Sequence, residues 1–305
     1  MSSPVVIPIA GGKGGIGKSL IAANTAVSLA REGHKVVAID LDLGASNLHV
    51  LFGIKNSSKN ILNFANSTEN DLESAVTITE YYGTAIVCGA ANVAGGSNIS
   101  PRQKMKILRS IETLSYDYVI LDLGAGSSFN VTDFFLVGKQ GVLVIVPEIT
   151  SLLDAYSMLK STIHRKLQME WQSIPEVAVL IDEFRNPAND KKMVTIEHLI
   201  NEVEKVSSEE AHRMRLMIAG FGVKLVLNKV KEQKDFKVVK TLQDLSRKNL
   251  SLDVLNVGFI PESAAIARSV NQMVPFIHFE PDGYASKQMA LVTKTLASDY
   301  SQFAS

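Results

Sequence analysis

An α/β fold, with a mostly parallel twisted sheet and helices on both faces, is what this 305-residue chain predicts. Three observations carry the prediction. Short apolar, β-branched runs alternate with longer stretches of helical period. Several of those runs lack polar alternation, so both of their faces must be covered, and a glycine-rich turn joins the first run to the first helical stretch. The first strand is VVIPIA (5–10), followed by a helix over 18–32 and the strands KVVAID (35–40) and TAIVCG (84–89). A helix over 101–114, with Pro101 in its first turn, precedes DYVILDL (117–123), a helix over 128–138 and GVLVIVP (141–147). Ser151 with Asp154 three residues later reads as a helix start, and that helix is expected over 151–169. GVKLVLN (222–228), a helix over 234–249, LDVLNVGFI (252–260) and a helix over 286–302 complete the alternation. Between about 161 and 221 the rhythm breaks. Met193, Ile196, Leu199, Val203 and Val206 recur at helical spacing, whereas the adjoining DEFRNPANDKK and KVSSEEAHRMR read as charged loops. Residues 1–305 are therefore expected to form one domain carrying a helical insertion at about 161–221.

Composition narrows the function classes. Lysine and arginine number 31 and aspartate and glutamate 31, so no overall field draws the molecule to nucleic acid or anionic lipid. A single cysteine, Cys88, forms no internal disulfide and no zinc-ligand spacing occurs, which favours a reducing compartment. The N-terminus has no basic segment leading into an apolar signal core, and no apolar run approaches membrane-spanning length. A soluble cytoplasmic protein is expected.

The chemistry is concentrated in AGGKGGIGKS (10–19). Gly12, Gly17, Lys18 and Ser19 satisfy G-x-x-x-x-G-K-[ST] between a strand and a helix, the context in which that pattern cradles phosphates. Gly12, Gly14, Gly15, Ile16, Gly17, Lys18, Ser19 and Leu20 are expected to wrap a nucleotide's phosphates, with backbone N–H groups and a helix N-terminus facing the anion. Lys18 would reach the β- and γ-phosphates and the Ser19 hydroxyl would ligate Mg²⁺. The apolar strand ending in Asp122 supplies a carboxylate for the Mg²⁺ shell. Asp40 and Asp42 lie at the end of the second strand on opposite sides of an extended chain, so that one can face the metal and the other an attacking water.

KGGIGKS resembles the deviant Walker A motif, K-G-G-x-G-K-[ST], of the MinD/ParA class of P-loop ATPases, and the likeness extends over most of the chain, closest to FlhG-like members. DLDLGASNLHVLFG resembles their switch I segment. LDLGAGSSFNVTDFF, PEITSLLDAYSMLK, VLNKV and GFIPESAAIARSVNQMVP resemble later segments. The resemblance implies a SIMIBI-class P-loop NTPase fold, ATP and Mg²⁺ as cofactors, and an ATP-dependent homodimer in which Lys13 reaches the partner's nucleotide. It assigns Asp42 to the catalytic water, Asp40 and Asn47 to the metal and γ-phosphate side, and Asn228, Pro261 and Glu262 to the adenine. Glu148 and Asp154 look like dimer-face acids. The output implied is a slow, partner-stimulated ATPase that positions a flagellum, division site or chromosome or plasmid cargo, recruited by partners to a pole, membrane surface or nucleoid. The family's basic amphipathic membrane helix has no match in TLASDYSQFAS, so direct membrane anchoring is not expected. The short N-terminal segment of FlhG-type proteins has no match either, and its stimulation of a partner GTPase is not expected.

Other features admit two readings. The insertion is either padding or a surface for an activating or cargo protein. RQKMKILR (102–109) and KVKEQKDFKVVK (229–240) are solvated helix faces or contacts for nonspecific DNA, with the helical spacing favouring the former. The six histidines show no metal spacing, Met214 and Met217 read as core, and Trp171 alone identifies no ligand. Two other functions fit the phosphate motif. A nucleotide-binding scaffold with little hydrolysis is one, and a metabolic relative is the other, although Cys88 alone excludes the cluster-bearing kind.

Overall fold

The computed structural model describes residues 3–55, 59–69, 71–89, 99–185 and 195–298. Its elements run β1 (Val5–Gly11), α1 (Lys18–Arg31), β2 (Val36–Leu41), α2 (Ile61–Asn66), β3 (Val76–Ile78), β4 (Ala85–Val87), α3 (Pro101–Glu112), β5 (Tyr118–Ala125), α4 (Phe129–Phe135), β6 (Gln140–Ile145) and α5 (Ile149–Trp171). They continue with α6 (Pro175–Arg185), α7 (Ile196–Val206), α8 (Ser208–Ala219), β7 (Gly222–Val230), α9 (Lys237–Leu250), β8 (Val254–Pro261), α10 (Ala264–Asn271), α11 (Phe276–Phe279) and α12 (Tyr284–Ala297). The strands form one sheet in the order β3-β4-β2-β5-β1-β6-β7-β8. All neighbours are parallel except β3 with β4. The C-terminal ends of β1, β2 and β5 therefore open on one edge, where ligands of such sheets sit.

Alternation along the strands builds two apolar layers. Val37, Ile39, Val119, Leu121 and Leu143 face one side with α2 through α9, while Ile7, Ile9, Ala38, Ile120 and Val144 face the other with α1, α11 and α12. Helices cover both faces, as the unalternating runs require. The inner strands are buried on both sides, so their central residues are almost wholly apolar, whereas the edge strands β3 and β8 are only partly buried.

Helix boundaries follow local chemistry. Ser100 and Gln103 form a reciprocal capping box, with Pro101 in the first turn of α3. At α5 the expectation is overturned: the helix starts at Ile149, and the Ser151 hydroxyl accepts from Val146 N (3.1 Å) rather than capping. KVSSEEAHRMR is not a loop either. Ser207 ends α7, and its hydroxyl accepts from Glu210 N to start α8 (3.3 Å). Ala211, Met214 and Ile218 then recur at helical spacing beneath the charges. Met217 is partly buried against the same core. Helices α6, α7 and α8 lie between α5 and β7, where the insertion was expected. Trp171, Ile181, Leu199, Val203 and Met214 join the apolar cluster that holds Leu143 and Leu225, so these helices extend the sheet's core. The short antiparallel β3 and helix α10 escaped the sequence reading. Residues 299–302 of the last expected helix, Met193 and most of DEFRNPANDKK lie outside the described residues. No helix among the described residues is long and apolar enough to cross a membrane.

Candidate functional site

The loop between β1 and α1 is shaped by backbone conformations that L side chains resist. Gly17, immediately before α1, has φ +96°, and a Cβ there would stand 2.2 Å from Asn228 Nδ2. A Cβ on Gly12 would meet the backbone of Asp154 at 2.2 Å, so that chain segment also demands glycine. Ile16 is buried and anchors the loop, leaving Gly14 and Gly15 exposed at its tip. No side chain caps α1, so its first N–H groups face the loop's interior as a ready anion site.

The two lysines of the loop take different directions. Lys18 is buried, with its Nζ 3.5 Å from the carbonyl of Lys13. Lys13 turns to the surface, where its ammonium donates to Glu148 Oε2 (2.5 Å) and Thr150 Oγ1 (3.0 Å). That hydrogen bond, with the charge of Lys13, holds the Glu148 carboxyl below its ordinary range. Ile149 and Leu153 beside this pair are exposed at 74% and 55%.

Asp40 and Asp122 are direct partners in the β2–β5 register, so both fully buried carboxylates project from the same edge. Their surroundings differ. Asp40 accepts from Ser46 Oγ (2.7 Å), Leu48 N (3.1 Å) and Asp42 N (3.1 Å), tying the 42–48 segment to the strand end. Burial outweighs these bonds and lifts its pKa to about 6. Neither oxygen of Asp122 has a hydrogen-bond partner within the protein. Burial and then the charge of Asp40 drive its pKa well above the ordinary value, against the favourable pull of Ser19 and Lys18. A buried carboxylate with both oxygens unmatched, facing a serine and a lysine, is the donor set that a hydrated Mg²⁺ with phosphate ligands fits. Asp42 accepts from Ala45 N (3.0 Å) and lies against Gly124, outside the main groove.

That groove, about 640 Å³, brings together Gly15, Gly17, Ser19 and Leu20 of the loop with Asn47, Asn228, Pro261 and Glu262. Of the residues foreseen, Asn228 holds the loop as well as lining the groove: its Nδ2 donates to Ile16 O (2.8 Å). Asn47 is exposed, its amide donating to Ala45 O (2.9 Å), and Glu262 pairs with Lys231 (3.0 Å) at the rim. Ser46, Leu48, Thr150 and Lys229 also shape the site and were missed. The serine-bearing D-x-D-x-G-x-S spacing was the one available signal for Ser46; the others depend on tertiary placement.

Several of the remaining candidates are engaged elsewhere. Lys106 donates to the carbonyls of Phe64 (2.7 Å) and Ser67 (2.8 Å), and Lys104 pairs with Asp133. Lys231 and Lys234 pair with Glu262 and Glu232. His164 bonds the carbonyl of Ile181 (3.2 Å), and Trp171 donates from the core to Glu210 (2.6 Å).

Known proteins resemble this chain in sequence and in fold. Residues 7–276 match the model of the CobQ/CobB/MinD/ParA nucleotide binding domain. The septum site-determining protein MinD of Helicobacter pylori is 32% identical over 152 residues, 50% of this chain and 56% of that protein. The flagellum site-determining protein YlxH of the same bacterium is 35% identical over 156 residues, 50% of this chain and 52% of that one. The chain thus spans about half the length of the curated relatives it matches. Among solved structures, MinD of Pyrococcus horikoshii complexed with Mg-ADP superposes with a TM-score of 0.66 at 21% identity, over 98% of both chains, which is a likeness of fold. With the family model spanning the phosphate loop, both carboxylate strands and the groove, the chain belongs to the CobQ/CobB/MinD/ParA nucleotide-binding family.

Proposed function

We propose that the protein is an ATP-dependent dimerising switch that binds ATP with Mg²⁺, hydrolyses it, and thereby positions a cellular structure. The observation that carries the reading is the divergence of the two loop lysines. Lys18 turns into the buried phosphate loop, whereas Lys13 stands at the surface among Glu148, Thr150 and the exposed Ile149 and Leu153. A lysine needed only for its own nucleotide would face inward. One held at the edge, beside uncovered apolar side chains, suits a second copy of the chain.

The residues divide the work. Loop amides and Lys18 bind and orient the phosphates, and fixed donors of this kind stabilise charge developing at the γ-phosphate without reorganising. When bound, Mg²⁺ spreads that charge, held by Ser19 and Asp122, with Asp40 ordering the adjoining segment. Asp42 orients the water that attacks phosphorus, and Asn47 lies beside it on the 42–48 segment. Asn228, Pro261 and Glu262 receive the nucleoside end, and Lys13 completes the site across the dimer. Turnover is slow until a partner intervenes, as a switch requires.

The relatives are named for septum and flagellum placement, and the cargo of this chain is proposed within that class, a flagellum, division site or chromosome or plasmid. Helices α6 to α8 offer the docking surface for an activating or cargo protein, which recruits the switch to a pole, membrane surface or nucleoid. The test is the mass in solution, by light-scattering chromatography, of Asp42→Ala with ATP·Mg²⁺ and with ADP, beside Lys13→Ala/Asp42→Ala. ATP should double the mass of the single variant only. A mass that never changes removes the dimer switch and leaves a monomeric nucleotide-binding protein.

A further inference from the structure

Strand β7 ends in an irregularity that the nucleotide reading does not use. Its register with β8 shifts between Leu227 and Val230, and within the shift Lys229 adopts φ +58°, a left-handed conformation unusual for a lysine. Bulges beside functional sites re-aim side chains, and backbone strain held by its surroundings clusters there. Here the re-aimed side chain reaches the phosphate loop. Lys229 Nζ donates to the carbonyl of Gly15 (3.0 Å), next to the Ile16 carbonyl that Asn228 Nδ2 holds (2.8 Å). The Asn228 side chain also accepts from Lys229 N (2.9 Å), so the two residues form one clamp on two successive peptide groups.

The consequence follows from peptide geometry. In a planar trans peptide the C=O and the following N–H point in opposite directions. Holding the Gly15 carbonyl toward β7 turns the N–H of Ile16 away from β7, and holding the Ile16 carbonyl does the same for Gly17. Lys229 also lines the groove, and its charge reaches the carboxylate of Glu148.

We propose that Lys229 is a positioning residue of the phosphate site: its ammonium fixes the Gly15–Ile16 peptide so that the Ile16 amide is preset to bind a phosphate oxygen. The proposal rests on the reading of the loop as a nucleotide site. The left-handed backbone serves this reach, and the ammonium, not the backbone, is the working part.

The experiment is calorimetric titration of the wild-type chain and of Lys229→Met, Lys229→Arg, Lys229→Gly and Lys18→Ala with ATP·Mg²⁺ and ADP·Mg²⁺, with unfolding midpoints taken without nucleotide. Loss of one charge-assisted hydrogen bond should weaken both nucleotides roughly tenfold in Lys229→Met. Lys229→Gly should weaken them equally, although it relieves the strained φ and does not lower the midpoint. Lys229→Arg should restore binding to within about twofold of wild type, a rescue that the charged bond predicts and packing alone does not. Unchanged affinity in Lys229→Met or Lys229→Gly, beside a wild type that binds and a Lys18→Ala that does not, overturns the proposal and leaves the nucleotide reading intact. A wild type that binds neither nucleotide overturns the reading, and the proposal with it.

Discussion

Replacing Asp122 by asparagine should make the empty protein more stable and the nucleotide-loaded protein less so. The carboxylate is fully buried at the end of β5, neither oxygen has a partner, and Asp40 stands beside it in register. An unmatched buried polar group costs about 1–3 kcal/mol, and a charged one more. Asparagine has nearly the same shape and no charge, and the favourable pull of Ser19 and Lys18 that it forfeits is smaller than the burial and Asp40 repulsion that it relieves. For a chain of this size about 1 kcal/mol moves the unfolding midpoint by roughly 2 °C, so a rise of about 2–6 °C is expected at pH 8 without ligand. The pH dependence has a definite sign. Folding raises the pKa of this acid, so the penalty is absent below the ordinary carboxylate value of 3.8 and complete above the folded value. The gain from asparagine therefore grows with pH. With ATP·Mg²⁺ at about 100 times its Kd the wild type gains about 2.7 kcal/mol by mass action, and the variant should gain little of it. Thermal unfolding followed by circular dichroism at pH 5 and pH 8, with and without ATP·Mg²⁺, reads all of this. A lowered midpoint in the empty variant at pH 8 would refute the argument, because the carboxylate would then be stabilising where it has no visible partner.

Three further outcomes follow from other contacts. Gly17→Ala forces a Cβ to within 2.2 Å of Asn228 Nδ2 at φ +96° and should cost about 1–2 kcal/mol from the backbone alone while abolishing nucleotide binding, checked by denaturant unfolding and calorimetry. Burial alone would raise the pKa of Asp133, yet bonds from Arg165 (2.6 Å) and Lys104 bring it below its ordinary range. Asp133→Asn should cost about 3–5 kcal/mol at pH 7 in urea unfolding, and the loss should vanish as pH falls through the folded pKa. Ser207→Ala removes the hydroxyl that starts α8 and should cost about 1 kcal/mol, with nucleotide affinity unchanged.

What could be read from the sequence was local. Gly12 to Ser19 announce the loop because their spacing is itself the geometry, and Asp122 stands out because an apolar run buries everything before it. The facing of Asp40 and Asp122 depends on which strands pair and in what register, and no spacing within one segment records that. Helix α8 was hidden because two glutamates, two arginines and a histidine crowd one window, and only Ala211, Met214 and Ile218 mark the buried face. The three residues of β3 are too few to show a period. Lys229 is legible as a basic residue, but its reach to Gly15 needs a register shift and a left-handed backbone, both products of tertiary structure.

Most of the site's charges are matched within the chain. Lys13 is held by Glu148 and Thr150, Lys18 sits against the Lys13 carbonyl, Asp40 is saturated by the 42–48 segment, and Lys229 holds Gly15. Asp122 alone among them keeps a buried carboxylate with neither oxygen bonded, and the first turn of α1 lacks a side-chain cap. The mismatch is thus an acid and a set of N–H donors on the same sheet edge, which cannot satisfy each other by hydrogen bonds across the loop. A cation alone would leave the N–H groups open, and an anion alone would aggravate the buried carboxylate. A metal-bound polyphosphate answers both at once, which is why affinity for nucleotide should fall steeply when Mg²⁺ is removed. Titrating ADP in chelator against ADP in Mg²⁺ reads this coupling directly. Equal affinities would mean that Asp122 is not the metal side of the site.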